Sequence, residues 1–143
     1  MTSVAHLLHA KGHAVWSIPP DASVYDAIKL MADKEVGALL IVEAQRLVGI
    51  VSERDYARKV ILQGKSSRDT PVREIMTEKV FYVRPEQTVE ECMALMTAKR
   101  IRHLPVLDNG QLVGVVSIGD LVKAHISDQE VRIQQLEQYI TGR

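Results

Sequence analysis

A duplicated segment constrains the fold of this chain more than any other feature. The sequence GIVSERD at residues 49–55 returns as GVVSIGD at 114–120, with glycine, an apolar pair, serine and aspartate in the same places. The alignment extends without a gap over residues 18–61 and 83–126, at an offset of 65 positions. A repeat of this kind indicates two copies of one supersecondary unit, which bury their hydrophobic faces together.

Residues ahead of the aligned block follow a different offset. Three apolar residues near the start match three later ones at an offset of 68 positions: Val4, Leu7 and Leu8 against Val72, Ile75 and Met76. We therefore divide the chain into repeat 1 (residues 1–68), repeat 2 (69–128) and a C-terminal segment (129–143).

Capping signals predict a helix near the beginning of each copy of the repeat. Ser23 with Asp26, and Thr88 with Glu91, have the spacing of a capping box, in which two side chains satisfy free N–H groups at a helix start. The apolar residues that follow recur at i, i+3, i+4 and i+7, so each helix has one buried stripe.

Two β-rich runs follow each predicted helix. They are ALLIVE and LVGIVS in copy 1, and HLPVLD and LVGVVS in copy 2. Asn109-Gly110 predicts a hairpin between the second pair, because both residue types tolerate positive φ. Short strands at 15–18 and 80–83 complete the prediction. The fold class is α/β, with two β-α-β-β-α repeats packed about a pseudo-twofold axis, since half a core is too little for an independent domain.

Composition excludes several classes of partner. Eighteen basic and eighteen acidic residues give no net charge, which argues against a nucleic acid or an anionic membrane as the partner. The longest apolar stretch, residues 36–42, is far shorter than the roughly 20 residues of a membrane span. The single cysteine, Cys92, forms no internal disulfide and is interpreted as a core residue. We expect a cytoplasmic protein.

The repeated serine and aspartate suit a nucleotide. The serine stands where a helix opens, beside free N–H groups that favour a phosphate. Asp55 or Asp120, three residues later, can accept hydrogen bonds from two ribose hydroxyls. The same S-x-x-D spacing is also a capping box. Helix capping by itself would not keep glycine, serine and aspartate identical in both copies while the residues between serine and aspartate, Glu53-Arg54 and Ile118-Gly119, differ. The recurrence therefore favours a ligand.

The chain resembles the CBS (cystathionine β-synthase) domain family in its tandem arrangement, the Bateman module. The resemblance is carried by the two repeated segments, by the helix entry VRPEQTV at 83–89 and by RIRHLPVLDNG at 100–110. It implies a free-standing regulatory module that binds AMP, ADP, ATP, NAD or S-adenosylmethionine in clefts between the repeats. It also implies a homodimer and a downstream protein that reads the bound state.

The resemblance also implies site residues. Asp55 and Asp120 would hold ribose hydroxyls, Ser52 and Ser117 would lie near the ribose or α-phosphate, and strand residues near Ile18 and Val83 would flank the adenine. The implied nucleotide-binding set is Ile18, Pro20, Ser52, Arg54, Asp55, Arg58, Val83, Pro85, Arg102, His103, Pro105, Ser117 and Asp120.

The two copies differ in the charge that they offer to a phosphate. Copy 2 has Arg102-His103, basic positions that face phosphate in adenylate-binding family members, where copy 1 has Gly37-Ala38. Copy 1 instead carries Arg54 and Arg58 next to its motif. We expect non-equivalent sites, with more phosphate-binding charge beside Asp55.

Two other function classes remain open. The first is a structural or protein-interaction domain whose motif does not bind a nucleotide. The second is an enzyme, which we do not expect because no activated nucleophile, metal site or paired acid and base can be identified. His6, His9 and His13 lack a cysteine or acidic partner nearby, so no metal site is expected. Apolar residues recur at i, i+3 and i+7 in 129–143, which predicts an amphipathic helix. Its apolar stripe covers either its own domain or a second subunit, and the resemblance to the family favours the second subunit.

Overall fold

The computed structural model describes residues 2–141, with side chains through residue 140. Along the chain the elements are α1 (Val4–Lys11), β1 (Ser17–Ile18), α2 (Val24–Lys34), β2 (Ala38–Glu43), β3 (Arg46–Ser52), α3 (Glu53–Tyr56), α4 (Val89–Lys99), β4 (His103–Asp108), β5 (Gln111–Ser117) and α5 (Ile118–Thr141). A π-helical turn, Ala57–Ile61, follows α3, and a short 3₁₀ turn covers Val72–Glu74. Among the described helices none is long and apolar enough to cross a membrane.

The elements form two compact units whose limits differ from those of the sequence repeats. One unit is continuous and runs from Val15 to Phe81; we call it the continuous unit. The other, the split unit, combines the chain up to Ala14 with the chain from Tyr82 onwards. Residues 69–81 therefore pack with the first repeat, and α1 packs with the second.

The continuous unit contains the three-stranded sheet β1-β2-β3, with β1 parallel and β3 antiparallel to β2. Helix α2 begins at Ser23, whose hydroxyl accepts a 3.0 Å hydrogen bond from the N–H of Asp26. The core of this unit consists of Val24, Ala27, Met31, Leu39, Ile41, Val51, Val60, Val72 and Ile75. The last two residues lie beyond residue 68, so repeat 1 by itself lacks part of this core.

The split unit contains the antiparallel hairpin β4-β5 and the helices α1, α4 and α5. Helix α4 begins at Thr88, which forms a reciprocal capping box with Glu91 as predicted. The core consists of Val4, Leu7, Leu8, Val83, Val89, Cys92, Met96, Leu104, Val106, Val116 and Leu121. Helix α1 thus supplies three core residues to strands and helices that follow it by some 80 positions or more.

The predicted strand at 80–83 is wrong, because only Val83 pairs, in an isolated parallel bridge with Val106. The reason is visible in the corresponding strand pair of the other unit, where the N–H of Leu40 donates to the carbonyl of Trp16. The residue aligned with Leu40 is Pro105. Proline has no N–H, so the ladder cannot extend towards Phe81.

The predicted C-terminal helix is not a separate element. Helix α5 runs without interruption from Ile118 to Thr141 and joins the end of repeat 2 to the segment that begins at residue 129. Residues 142–143 of the predicted helix lie outside the described residues. Five apolar side chains in the second half of α5 are more than half exposed, namely Val131, Ile133, Leu136, Tyr139 and Ile140.

Candidate functional site

In both units the repeated serine and aspartate lie at the passage from a strand to a helix. Ser52 ends β3 and caps α3: its hydroxyl accepts from the N–H of Asp55 at 3.2 Å. The carboxylate of Asp55 accepts from the N–H of Ser52 at 2.9 Å. This pair is therefore a capping box, and Oδ2 of Asp55 also accepts from the Ser52 hydroxyl at 3.1 Å.

Ser117 and Asp120 repeat this arrangement at the start of α5. The N–H of Ser117 donates to Oδ2 of Asp120 at 2.8 Å, and the N–H of Asp120 donates to the Ser117 hydroxyl at 3.2 Å. Both aspartate side chains remain partly exposed, with 19% of Asp55 and 26% of Asp120 accessible. Each motif thus has a structural role and an accessible carboxylate.

The repeated glycine has a packing role. A side-chain carbon at Gly49 would lie 2.6 Å from the sulfur of Met76, and one at Gly114 would lie 2.8 Å from a methyl group of Leu8. Met76 and Leu8 are matched by the offset of 68 positions. The group that packs closely on each glycine is therefore a side chain from the segment that precedes the other repeat.

A lysine contacts each aspartate, but from a different element in each unit. Lys59, one helical turn after Asp55, places Nζ 3.3 Å from Oδ1 of Asp55 and donates to the carbonyl of Ile75 at 2.9 Å. Lys11, the last residue of α1, places Nζ 2.6 Å from Oδ2 of Asp120 and donates to the carbonyl of Val115 at 2.7 Å.

Opposing effects act on the pKa of Asp120. Burial raises it, but hydrogen bonds from Lys11 and Ser117 and the charge of Lys11 outweigh burial, so the pKa lies below its ordinary value. Asp120 is consequently a carboxylate at neutral pH, and its charge is neutralised by Lys11.

Arg102 and His103 lie at the same end of the β4-β5 hairpin as the Ser117 motif. His103 is opposite Ser117 in the strand register, and the carbonyl of Arg102 accepts from the N–H of Ile118 at 2.9 Å. Arg102 is exposed and His103 partly so. The structure therefore brings together four of the predicted residues of copy 2.

The corresponding end of the β2-β3 hairpin is uncharged on its β2 side. Ala38 is opposite Ser52 in the register, and the carbonyl of Gly37 accepts from the N–H of Glu53 at 3.1 Å. Arg54 and Arg58 are exposed on α3 and the π-helical turn after it. The basic groups predicted beside Asp55 therefore come from the helix, whereas those beside Asp120 come from the strand.

The remaining predicted residues are buried or partly buried, so their surroundings indicate a structural role. Val83, Pro20 and Pro105 are buried, while Ile18 and Pro85 are partly buried. Val83 belongs to the core of the split unit and bonds its N–H to the carbonyl of Pro105. Its side chain is fully buried in that core.

Cys92 is a core residue, as the sequence predicted. Burial in α4, with a smaller effect from the charge of Glu91, raises the pKa of its thiol to about 11. The thiol is therefore protonated at neutral pH and is a poor nucleophile.

Sequence reasoning missed the two lysines. Lys59 carried a local signal, because a lysine four residues after an aspartate on a helix is positioned to pair with it. Lys11 carried none, since 109 positions separate it from Asp120.

The fold and motif agree with a family comparison. The family model of the CBS domain matches twice, over residues 12–61 and 72–127. The chain belongs to the CBS domain family. Free-standing CBS-domain proteins are generally regulatory or signalling proteins, and this chain is a CBS-pair regulatory module.

Relatives of similar architecture cover almost the whole chain. A mitochondrial CBS domain-containing protein of Arabidopsis thaliana, CBSX3, is 44% identical over 99% of this chain and 73% of its own length. A solved CBS-domain protein from Burkholderia ambifaria, ascribed to signal transduction, is 58% identical with a TM-score of 0.87, covering 90% of this chain and 96% of its own.

Two other solved relatives carry information on ligands and assembly. A CBS domain pair in complex with 5′-methylthioadenosine and S-adenosyl-L-methionine is 25% identical, with a TM-score of 0.80 over 90% of this chain and 98% of its own. A hexameric CBS-CP12 protein from bloom-forming cyanobacteria is 31% identical, with a TM-score of 0.75 over 85% of this chain and 70% of its own.

Proposed function

We propose that this CBS pair senses an adenosine-containing ligand, with AMP, ADP, ATP or NAD as the physiological candidates, and transmits the bound state to another protein. The observation that carries the proposal is the twofold placement of an accessible aspartate carboxyl group at a helix N-terminus, within the CBS framework. The ligands in the related complex share the adenosine group with these candidates.

The chemistry of the site supports an adenosine ligand. A carboxylate with two oxygens is suited to the two hydroxyls of a ribose. The helix N-terminus and the exposed Arg102, or Arg54 and Arg58 in the other copy, are suited to phosphate oxygens. A ligand acts as a signal only through different affinities for two states of the protein.

Calorimetric titration tests this proposal. The purified protein, shown to be folded and free of nucleotide, is titrated with AMP, ATP, NAD and S-adenosylmethionine. We expect binding of at least one of them, and a loss of about tenfold or more in affinity for one class of site in each of Asp55→Asn and Asp120→Asn.

The control is Glu91→Gln, which alters a capping box of the same form at the start of α4, a helix that carries neither motif. It should leave binding unchanged. Absence of binding by the wild-type protein for all four compounds would contradict the proposal.

The alternative is a protein-interaction domain without a physiological nucleotide. One observation favours it: the repeated glycine, serine and aspartate each have a packing or capping partner within their own unit. Flat titrations, combined with a loss of stability in the aspartate variants, would favour this alternative.

We further propose that the module is not catalytic. Chromatography of AMP, ATP and NAD after prolonged incubation with the protein should recover each compound unchanged. We also place the protein in the cytoplasm, which fractionation of cells expressing it tests.

We propose a homodimer that forms through the exposed apolar face of α5. Leu136 and Ile140, one turn apart, are 61% and 80% exposed in the single chain, and apolar groups of this kind are commonly covered by a partner. Sedimentation equilibrium should give a dimer for the wild type and a monomer for Leu136→Glu. A wild-type monomer would contradict this proposal.

A further inference from the structure

Lys11 occupies one oxygen of the carboxylate that is proposed to bind ribose in the split unit. Its Nζ is 2.6 Å from Oδ2 of Asp120, and the N–H of Ser117 donates to the same oxygen at 2.8 Å. A carboxylate oxygen has about two acceptor positions. Both positions of Oδ2 are therefore filled, and a ribose diol that uses both oxygens must displace Lys11.

The position of Lys11 is fixed by more than its ion pair. It also donates to the carbonyl of Val115 at 2.7 Å, and Leu8, one turn earlier, packs on Gly114. Two residues later the ring of His13 lies 2.9 Å from the carbonyl of Val113. The segment that carries Lys11 is thus held along β5, so the lysine is placed at Asp120 rather than free to sample solvent.

The N-terminal segment contacts α5 at a second point. The hydroxyl of Thr2 lies 2.7 and 2.8 Å from the two carboxylate oxygens of Asp128. Asp120 and Asp128 are both on α5. Release of Lys11 would therefore remove one polar attachment of this segment to the helix and leave that of Thr2 in place.

The continuous unit has no equivalent of this contact. The residue that matches Lys11 at the offset of 68 positions is Lys79, which is exposed and forms no ion pair among residues 2–141. Asp55 is contacted instead by Lys59, at the longer distance of 3.3 Å and through its other oxygen. The two sites therefore differ in how strongly an internal cation competes with a ligand.

We propose that Lys11 is an autoinhibitory latch on the Asp120 site: it competes with the ribose of an adenosine ligand, and binding there loosens the C-terminal end of α1 and the residues that follow it on β5, while the apolar contacts of α1 keep the helix in the core. The proposal rests on the proposed function. It predicts that the Asp120 site is the weaker of the two and that its occupancy is coupled to the order of the C-terminal end of α1 and the residues that follow it.

The test uses Asp55→Asn protein, in which the Asp120 site is isolated, and AMP and ATP as probes in parallel titrations. Adding Lys11→Met should raise the affinity of this site for AMP or ATP by about three- to tenfold, the effect of removing one charged hydrogen-bond competitor. The matched control is Lys79→Met in the same background, which removes the same charge and should leave the affinity unchanged.

Hydrogen–deuterium exchange gives a second readout that does not depend on a change in affinity. Saturating AMP or ATP should increase exchange at the C-terminal end of α1 and in the residues that follow it in the Asp55→Asn protein. In the Lys11→Met variant this region should exchange faster before any ligand is added, because the attachment is already missing.

The outcomes separate the latch from the function on which it rests. Unchanged affinity in Lys11→Met would overturn the latch, and weaker binding would make Lys11 a phosphate-binding residue instead, which also overturns it. Absence of binding to wild-type protein would overturn the proposed function and the latch together. Binding to the isolated Asp120 site that appears only after Lys11→Met would support both.

Discussion

At the scale of single residues, the repeated motif combines packing, capping and charge in a few positions. Gly114 accommodates Leu8, Ser117 caps α5, and Asp120 binds both the backbone of Ser117 and the ammonium of Lys11. The recurrence of these residues therefore has a structural cause in addition to any ligand.

Gly114→Ala should destabilise the protein by about 1–3 kcal/mol, the usual cost of an extra methyl group in a packed core. The added carbon would lie 2.8 and 2.9 Å from the methyl groups of Leu8. Urea unfolding measures the change. In a Leu8→Ala background, where the space is vacated, the same substitution should cost less than half as much; an equal cost in both backgrounds would refute the explanation.

The Lys11–Asp120 pair should make stability depend on pH at the acidic end. Because the pKa of Asp120 is lowered in the folded protein, the contribution is fully present above the unfolded pKa of about 3.9 and is lost as pH falls through the lower folded value. The stability difference between wild type and Lys11→Met should be about 0.5–1 kcal/mol at pH 7 and shrink below pH 4.

Urea unfolding at pH 7, 5, 4 and 3 tests this dependence. Lys79→Met should differ from wild type by the same small amount at every pH. A wild-type advantage over Lys11→Met that grows towards pH 3 would show that another group dominates.

At the scale of elements, the two hairpins have the same length of turn but different turn residues. Asn109 and Gly110 adopt φ of 51° and 81°, as predicted from their sequence. Ala44 and Gln45 connect β2 to β3 with φ of 50° and 65°, although neither residue type favours the left-handed region. Pairing of β2 with β3 imposes this turn on the local sequence.

Grafting the turn of copy 2 into copy 1, as Ala44→Asn with Gln45→Gly, should therefore stabilise the protein by about 1 kcal/mol. Thermal and urea unfolding measure the gain. The reverse graft, Asn109→Ala with Gly110→Gln, is the control and should destabilise by a similar amount. A loss of stability in the first variant would contradict this account.

At the scale of the whole molecule, the chain leaves the split unit after residue 14 and returns to it at residue 82. The core of the continuous unit includes Val72 and Ile75, and the core of the split unit includes Val4, Leu7 and Leu8. Each sequence repeat therefore lacks apolar residues that its unit requires.

Two fragments of nearly equal length test this division. Residues 15–81 contain the complete core of the continuous unit, whereas residues 1–68 lack Val72 and Ile75 but carry α1. We expect residues 15–81 to retain more native circular dichroism and a cooperative urea transition. A more stable fragment 1–68 would show that the sequence repeats are the folding units.

Much of the architecture could be predicted from local signals. The capping residues Ser23 and Thr88 begin α2 and α4, and the four β-rich runs became β2 to β5 within one residue of their predicted limits. These features depend on contacts between residues close in sequence or on a hydrophobic period, which a sequence displays directly. The predicted strand at 80–83 did not form because the neighbouring strand has Pro105 where an N–H donor is needed. Pro105 lies more than 20 positions later in the sequence, so no local pattern around 80–83 shows this.

The sequence by itself determined the repeat, the helices α2 and α4, the hairpins, the serine–aspartate motif and the family. Each of these features depends on residues that are adjacent or regularly spaced along the chain. Only the tertiary structure decided which leading segment covers which glycine and which cation neutralises Asp120. Those partners lie about 30 to 110 positions apart, as with Met76 and Gly49 or Lys11 and Asp120. Contact between Lys11 and Asp120 depends on burying α1 against β5, and contact between Met76 and Gly49 depends on packing the segment after residue 68 against β3. No local pattern in the sequence records either packing.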